Sequence, residues 1–167
     1  SGEGALPIGG LSCDYEKCFD RLPHEILLNL MRHMGVDEAI MRPMEAGCGG
    51  VLTAQIHSVA DARQVVEWAK YPPMGVRGLF GGNYECQWGA PPPAEFIEEA
   101  HANRWVGMLI ETLGALDRVE EIARLEGVDH IFVGPGDLSV ALGVPGDSLH
   151  EKCVQALELI SCLIYTS

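Results

Sequence analysis

Apolar positions along this chain follow two alternating rhythms. Pro23 to Met34 carries Ile26, Leu27, Leu30, Met31 and Met34 at helical spacing, with Asp20 as a cap and Pro23 allowed in the first turn. Glu38 to Ala46 predicts a second helix, stopped by Gly47 and Gly49-Gly50. Ser58 and Asp61 open a third, Val59 to Lys70, which Pro72-Pro73 ends. Ala94 to Asn103, Leu113 to Leu125 and a stretch from about Leu149 to Leu159 predict three more. Between them lie short apolar runs that predict strands: Ile8 to Cys13, Val51 to Ile56, Val76 to Phe80, Trp105 to Ile110 and His130 to Val133. Gly81 to Pro93, rich in Gly and Pro, predicts a loop.

Repeated βα units predict an α/β fold whose parallel sheet is covered on both faces. The long crossover from Trp105–Ile110 to His130–Val133 makes those two strands parallel neighbours. No GxGxxG follows the first strand and no GxxxxGK[ST] occurs, so the nucleotide-binding open sheets have little support. A TIM (β/α)8 barrel is the expected architecture, in incomplete form. The chain has 167 residues, whereas a full barrel takes roughly 250. Two predicted helices are separated only by Gly35-Val36-Asp37, where a βα repeat would place a strand. The expectation is one barrel domain over residues 1–167, with segments missing near 36–37 and beyond 167.

Composition narrows the function. Hydrophobic residues make up 47% and charged residues 21%, a globular balance. The formal net charge of -13 argues against a nucleic-acid partner, which needs clustered Lys and Arg. No apolar run reaches the ~18 residues of a membrane span. The amino terminus has neither a basic n-region nor a long apolar h-region, so no signal peptide is expected. Six cysteines without a CxxC pair predict reduced thiols in a cytoplasmic protein.

Two acids carry the candidate chemistry. Glu111 ends the run Trp105–Ile110, and Asp137 follows His130–Val133 through Gly134-Pro135-Gly136, read here as a tight turn with a loop beyond. Both therefore fall at the carboxyl ends of neighbouring parallel strands, the edge where α/β folds bind ligands. Two carboxylates aimed at one point repel unless a proton or cation lies between them, and their oxygens suit Mg²⁺ or Mn²⁺. Asp14 and Glu16, after the first strand, share a side of the chain if it stays extended. His57, at a strand end, reads as a satisfied polar histidine, and His130 as structural. Arg77 pairs with a substrate carboxylate or serves the structure.

The stretch from Gly47 to Gly143 resembles the HpcH/HpaI aldolase family. The resemblance is carried by Glu45-Ala46-Gly47-Cys48-Gly49-Gly50-Val51, by Lys70-Tyr71-Pro72-Pro73-Met74-Gly75-Val76-Arg77-Gly78, by Ile110-Glu111-Thr112, and by the block from Glu126 to Ser139. It implies a metal-dependent class II aldolase that cleaves a 4-hydroxy-2-oxo acid to pyruvate, or a related 2-oxo acid, and an aldehyde. By similarity, Glu111 and Asp137 are the metal ligands for Mg²⁺, Mn²⁺ or a similar ion such as Co²⁺. Gly134, Pro135 and Gly136 line the pyruvyl pocket, and Asp14 and Glu16 serve acid–base catalysis. The family also implies a homo-oligomer. Three positions depart from its pattern: Lys17 stands where His is usual, Leu109 where some members carry Gln, and the strand bearing a substrate-binding Arg is absent between Met34 and Asp37. Two alternatives stay open: a CoA-thioester lyase of the malyl- or citramalyl-CoA type, and a degenerate non-catalytic homologue.

Overall fold

A computed structural model of the protein describes residues 35–166. The expected first strand, the helix Pro23 to Met34, and Asp14, Glu16 and Lys17 lie outside the described residues. The described chain divides into two compact units. One holds the residues up to Gly49 together with Gly78–Arg104; the other holds Gly50–Arg77 and the chain from Trp105 onward.

The first unit contains helix α1 (Gly35–Glu45), a loop and helix α3 (Pro93–Asn103). Residues 35–37 are already helical, so the chain passes the expected strand position as helix. Ile40, Met44, Cys86, Phe96 and Ala100 are buried. The loop is tied back where Glu85 N–H donates to the Glu45 carbonyl at 3.1 Å. Around a single 3-10 turn (Gln87–Gly89), Gln87 and Trp88 both adopt left-handed backbone angles.

The second unit is built on a parallel three-stranded sheet, β1 (Gly50–Thr53), β2 (Trp105–Ile110) and β3 (His130–Val133), in the order β1-β2-β3. Gly50 pairs with Trp105 at one end of the first ladder, and Ile110 with Val133 at the end of the second. The parallel pairing expected for β2 and β3 is present. Val106, Met108 and Ile110 alternate along β2 and are wholly buried. Helix α2 (Val59–Ala69) packs on β2 and buries Ala62, Val65, Val66 and Ala69. Ser58 caps α2 by accepting from Asp61 N–H at 3.2 Å, as its sequence signal predicts. Asp129 ties three segments together: its Oδ2 accepts from Val106 N–H at 2.8 Å and from the Lys70 ammonium at 3.0 Å. Lys70 is buried, and the partner's charge offsets its desolvation. The Arg77 guanidinium lies 4.7 Å from the centre of the Tyr71 ring, and both residues are buried. Its role in the structure is therefore scaffolding.

Four expectations need correction. Val76 to Phe80 forms no strand, because Val76 N–H donates to the Glu67 carbonyl and Arg77 N–H to the Lys70 carbonyl, tying them to the end of α2. Leu113 to Leu125 is not one helix: a non-helical Arg118 (φ -121°, ψ 16°) divides α4 (Leu113–Asp117) from α5 (Val119–Ala123). Asp137 lies not beyond a simple turn but inside helix α6 (Pro135–Ala141), where Pro135 suits the opening position and Asp137 the first-turn dipole. The final helix, α7 (Glu151–Thr166), starts later and runs further than Leu149 to Leu159. Of the five strands expected, three stand among the described residues, Val76 to Phe80 is not one, and Ile8 to Cys13 lies outside them. They form an α/β unit with a parallel sheet and no closed barrel. Among them, no helix is long and apolar enough to cross a membrane.

Gly114 sets how closely α4 approaches the segment leaving β1. A Cβ there would fall 2.2 Å from the His57 carbonyl oxygen, a backbone atom that cannot step aside. Gly114→Ala is expected to lower the unfolding free energy by about 1–3 kcal/mol, measured by urea denaturation; an unchanged midpoint would contradict this packing.

Candidate active site at the carboxyl edge of the sheet

Because the three strands are parallel, the segments that follow them leave from one edge. The β1 strand stops at Thr53, short of the expected Ile56. Gln55 then takes a left-handed turn, with φ at 55°. His57 follows, its N–H donating to Asp61 Oδ2 at 3.0 Å. After β2 come Glu111 and Thr112. The Thr112 hydroxyl donates to the Ile56 carbonyl and accepts from Ala115 N–H at 3.1 Å, capping α4. After β3, Gly134 donates its N–H to the Ile110 carbonyl at 3.1 Å and leads into α6. Within α6, buried Ser139 donates to the Gly136 carbonyl at 2.6 Å and accepts from Gly146 N–H at 3.0 Å. This fixes the helix that carries Asp137.

These segments enclose a cleft of about 450 Å³ lined by Gln55, His57, Glu111, Thr112, Leu113, Gly114, Asp137, Val140 and Ala141. The two acids singled out in the sequence thus share one cleft. Glu111 is buried, at 5% exposure, whereas Asp137 is exposed. Glu111 Oε1 accepts two hydrogen bonds from Gln55, from its backbone N–H at 2.8 Å and its side-chain Nε2 at 2.9 Å. Among the described residues, neither Glu111 Oε2 nor the Asp137 carboxylate receives a hydrogen bond. A Cβ on Gly134 would lie 2.7 Å from Glu111 Oε2, so the carboxylate occupies room that only glycine leaves. Pro135 and Gly136 form the exposed start of α6, and no atom lies within 4 Å of where a Gly136 Cβ would sit.

A carboxylate oxygen that receives no donor among the described residues and belongs to the cleft lining is available to a cation. The donor set fits a hard divalent ion: two carboxylates, with no Lys or Arg among the described residues of the cleft wall. Among the described residues, no group of three or more His, Cys, Asp or Glu side chains is placed to hold a metal. Among the described residues, the acids on the cleft wall are Glu111 and Asp137.

Sequence reasoning passed over Gln55, because nothing in an apolar run marks a left-handed glutamine. It read His57 as a satisfied polar residue. Its backbone N–H is held by Asp61, but the side chain is exposed on the cleft wall and makes no hydrogen bond among the described residues, so that expectation is not met. A second cavity of about 390 Å³, in the other unit, is a poorer candidate, since its acid Glu85 already faces Arg104 Nε at 3.5 Å. The described cysteines are free, and burial pushes the Cys48 thiol up, away from a reactive thiolate.

A sequence profile described as HpcH/HpaI aldolase/citrate lyase matches residues 29–163. The chain belongs to the HpcH/HpaI aldolase/citrate lyase family. Its relatives include a hydroxypyruvate/pyruvate aldolase of Sagittula stellata, 34% identical over 118 residues, which are 71% of this chain and 46% of that protein. A 4-hydroxy-2-oxovalerate aldolase of Rhodococcus jostii is 33% identical over 118 residues, covering 71% of this chain and 45% of that protein. Among solved structures, the HpcH/HpaI aldolase from Desulfitobacterium hafniense superposes with a TM-score of 0.72 at 28% identity, over 77% of this chain and 49% of its own. The chain spans about half the length of the curated relatives it matches.

Glu111→Gln keeps an oxygen for both Gln55 donors and removes the buried charge. In EDTA its unfolding free energy is expected to stay level or rise by up to about 1 kcal/mol, by urea denaturation. A clear loss of stability would mark Glu111 as a structural acid instead.

Proposed function

We propose that this chain belongs to a divalent-metal-dependent class II aldolase. It cleaves a 4-hydroxy-2-oxo acid to pyruvate, or a related 2-oxo acid, and an aldehyde. The observation that carries this reading is the cleft shared by Glu111 and Asp137, one buried and half-satisfied, the other exposed. Family membership and the aldolase names of its relatives support it. In this reading Glu111 and Asp137 hold Mg²⁺ or Mn²⁺, which when bound supplies Lewis acidity towards the oxygens of a 2-oxo acid. Gly134, Pro135 and Gly136 bound the pyruvyl end, where the bare Gly136 leaves open space. Asp14 and Glu16, outside the described residues, supply the acid–base groups.

The same reading places the described sheet in a single (β/α)8 barrel domain. The support is the face of the sheet opposite the buried one. It presents Leu52 at 45% exposure and Phe132 at 42%, beside Trp105. Parallel sheets are ordinarily covered on both faces, and a barrel interior would cover this one. A cytoplasmic homo-oligomer is the proposed state, in keeping with the free thiols of the described cysteines. The CoA-thioester alternative gains no support from the described lining of this cleft, where no Lys or Arg faces the phosphates of CoA.

The test is a retro-aldol assay with 4-hydroxy-2-oxo acids, reading released pyruvate with a coupled dehydrogenase. Turnover is expected with Mg²⁺ or Mn²⁺ and its loss in EDTA. Asp137→Ala is expected to cut kcat/KM by about 100-fold or more. Cleavage that persists in EDTA would overturn the mechanism.

A further inference from the structure

The carboxylate of Glu111 is aimed by another residue. Gln55 delivers two donors to one oxygen, its own backbone N–H at 2.8 Å and its side-chain Nε2 at 2.9 Å. In an extended strand these two groups diverge: the N–H points sideways to the neighbouring strand and the side chain stands off the sheet. They converge here because the backbone of Gln55 has left the strand with φ at 55°. Non-glycine residues rarely hold that conformation, and where they do, the surrounding structure has to enforce it. Behind the carboxylate, the bare Cα of Gly134 closes the other side. A flexible acid at the end of β2 is thus held through Oε1, while Oε2 receives no donor among the described residues.

We infer that Gln55 is a positioning residue that holds Glu111 ready to offer Oε2 to a divalent cation. The inference rests on the metal-binding reading above and adds a residue to it. A free carboxylate would have to surrender its rotational freedom, and choose between its oxygens, each time an ion bound. The paired donors on Oε1 settle both beforehand. The left-handed turn is what this arrangement requires of the backbone, which explains why β1 ends early at Thr53.

The test is Mn²⁺ binding, by titration calorimetry and by loss of the free-ion electron paramagnetic resonance signal. It compares the unaltered chain with Gln55→Met, which keeps the length and removes the side-chain donor. A second variant, Gln55→Asn, tolerates the left-handed angle but falls one methylene short. Both variants are expected to bind Mn²⁺ about 10- to 100-fold more weakly, the usual loss when a partner behind a metal ligand is removed. Their urea midpoints in EDTA should remain near that of the unaltered chain, a combination that a merely structural role would reverse. If the unaltered chain binds Mn²⁺ and both variants bind within about threefold of it, less than that usual loss, the positioning role is wrong while the metal site stands. If the unaltered chain binds no Mn²⁺, the metal reading falls and this inference with it.

Discussion

A parallel ladder delivers the ends of its strands to one edge, and the site described here follows from that constraint. Had β2 and β3 run antiparallel, Ile110 and Val133 would not have paired at matching ends, and Glu111 and Asp137 would have left opposite sides of the sheet. The register instead sets the residues after Thr53, Ile110 and Val133 around one cleft. Some of the polar groups in the cleft are then held from behind. Thr112 bonds the outflow of β1 to the start of α4, and Ser139 locks α6 to the loop beyond it.

The two acids play unequal parts. Glu111 is sunk at the strand end, and its environment is built around a charge: two donors on one oxygen and a glycine beside the other. Asp137 rides in the first turn of a short helix, exposed, with orientation supplied by the helix rather than by its own hydrogen bonds. One fixed and one exposed carboxylate suit the site proposed above, because the exposed partner can adjust to what arrives.

Much of this was legible in the residues. The caps of α2, the parallel pairing of β2 with β3 and the place of Glu111 at the end of β2 follow from periodicity, Ser58 and the crossover length. Other features were hidden for physical reasons. Val76–Phe80 has strand composition, yet its first N–H groups are claimed by the carbonyls of α2, a tertiary competition that no local pattern records. Gly134-Pro135-Gly136-Asp137 has the residues of a turn, but proline serves equally well at the opening of a helix. Gln55 was invisible because its function lies in a backbone angle, which leaves no trace in residue type.

Three residues of the Lys70 to Gly78 block, so prominent in the chain's resemblance to its family, are packed into the scaffold: Lys70 on Asp129, Arg77 on Tyr71. The bare face of the sheet has a practical corollary. Where no barrel closes over them, Leu52 and Phe132 offer, beside half-buried Trp105, a greasy ledge to the solvent while the fold is intact. A hydrophobic dye has somewhere to settle before any melting begins, so dye-based thermal scans of this chain would start from a high fluorescent background.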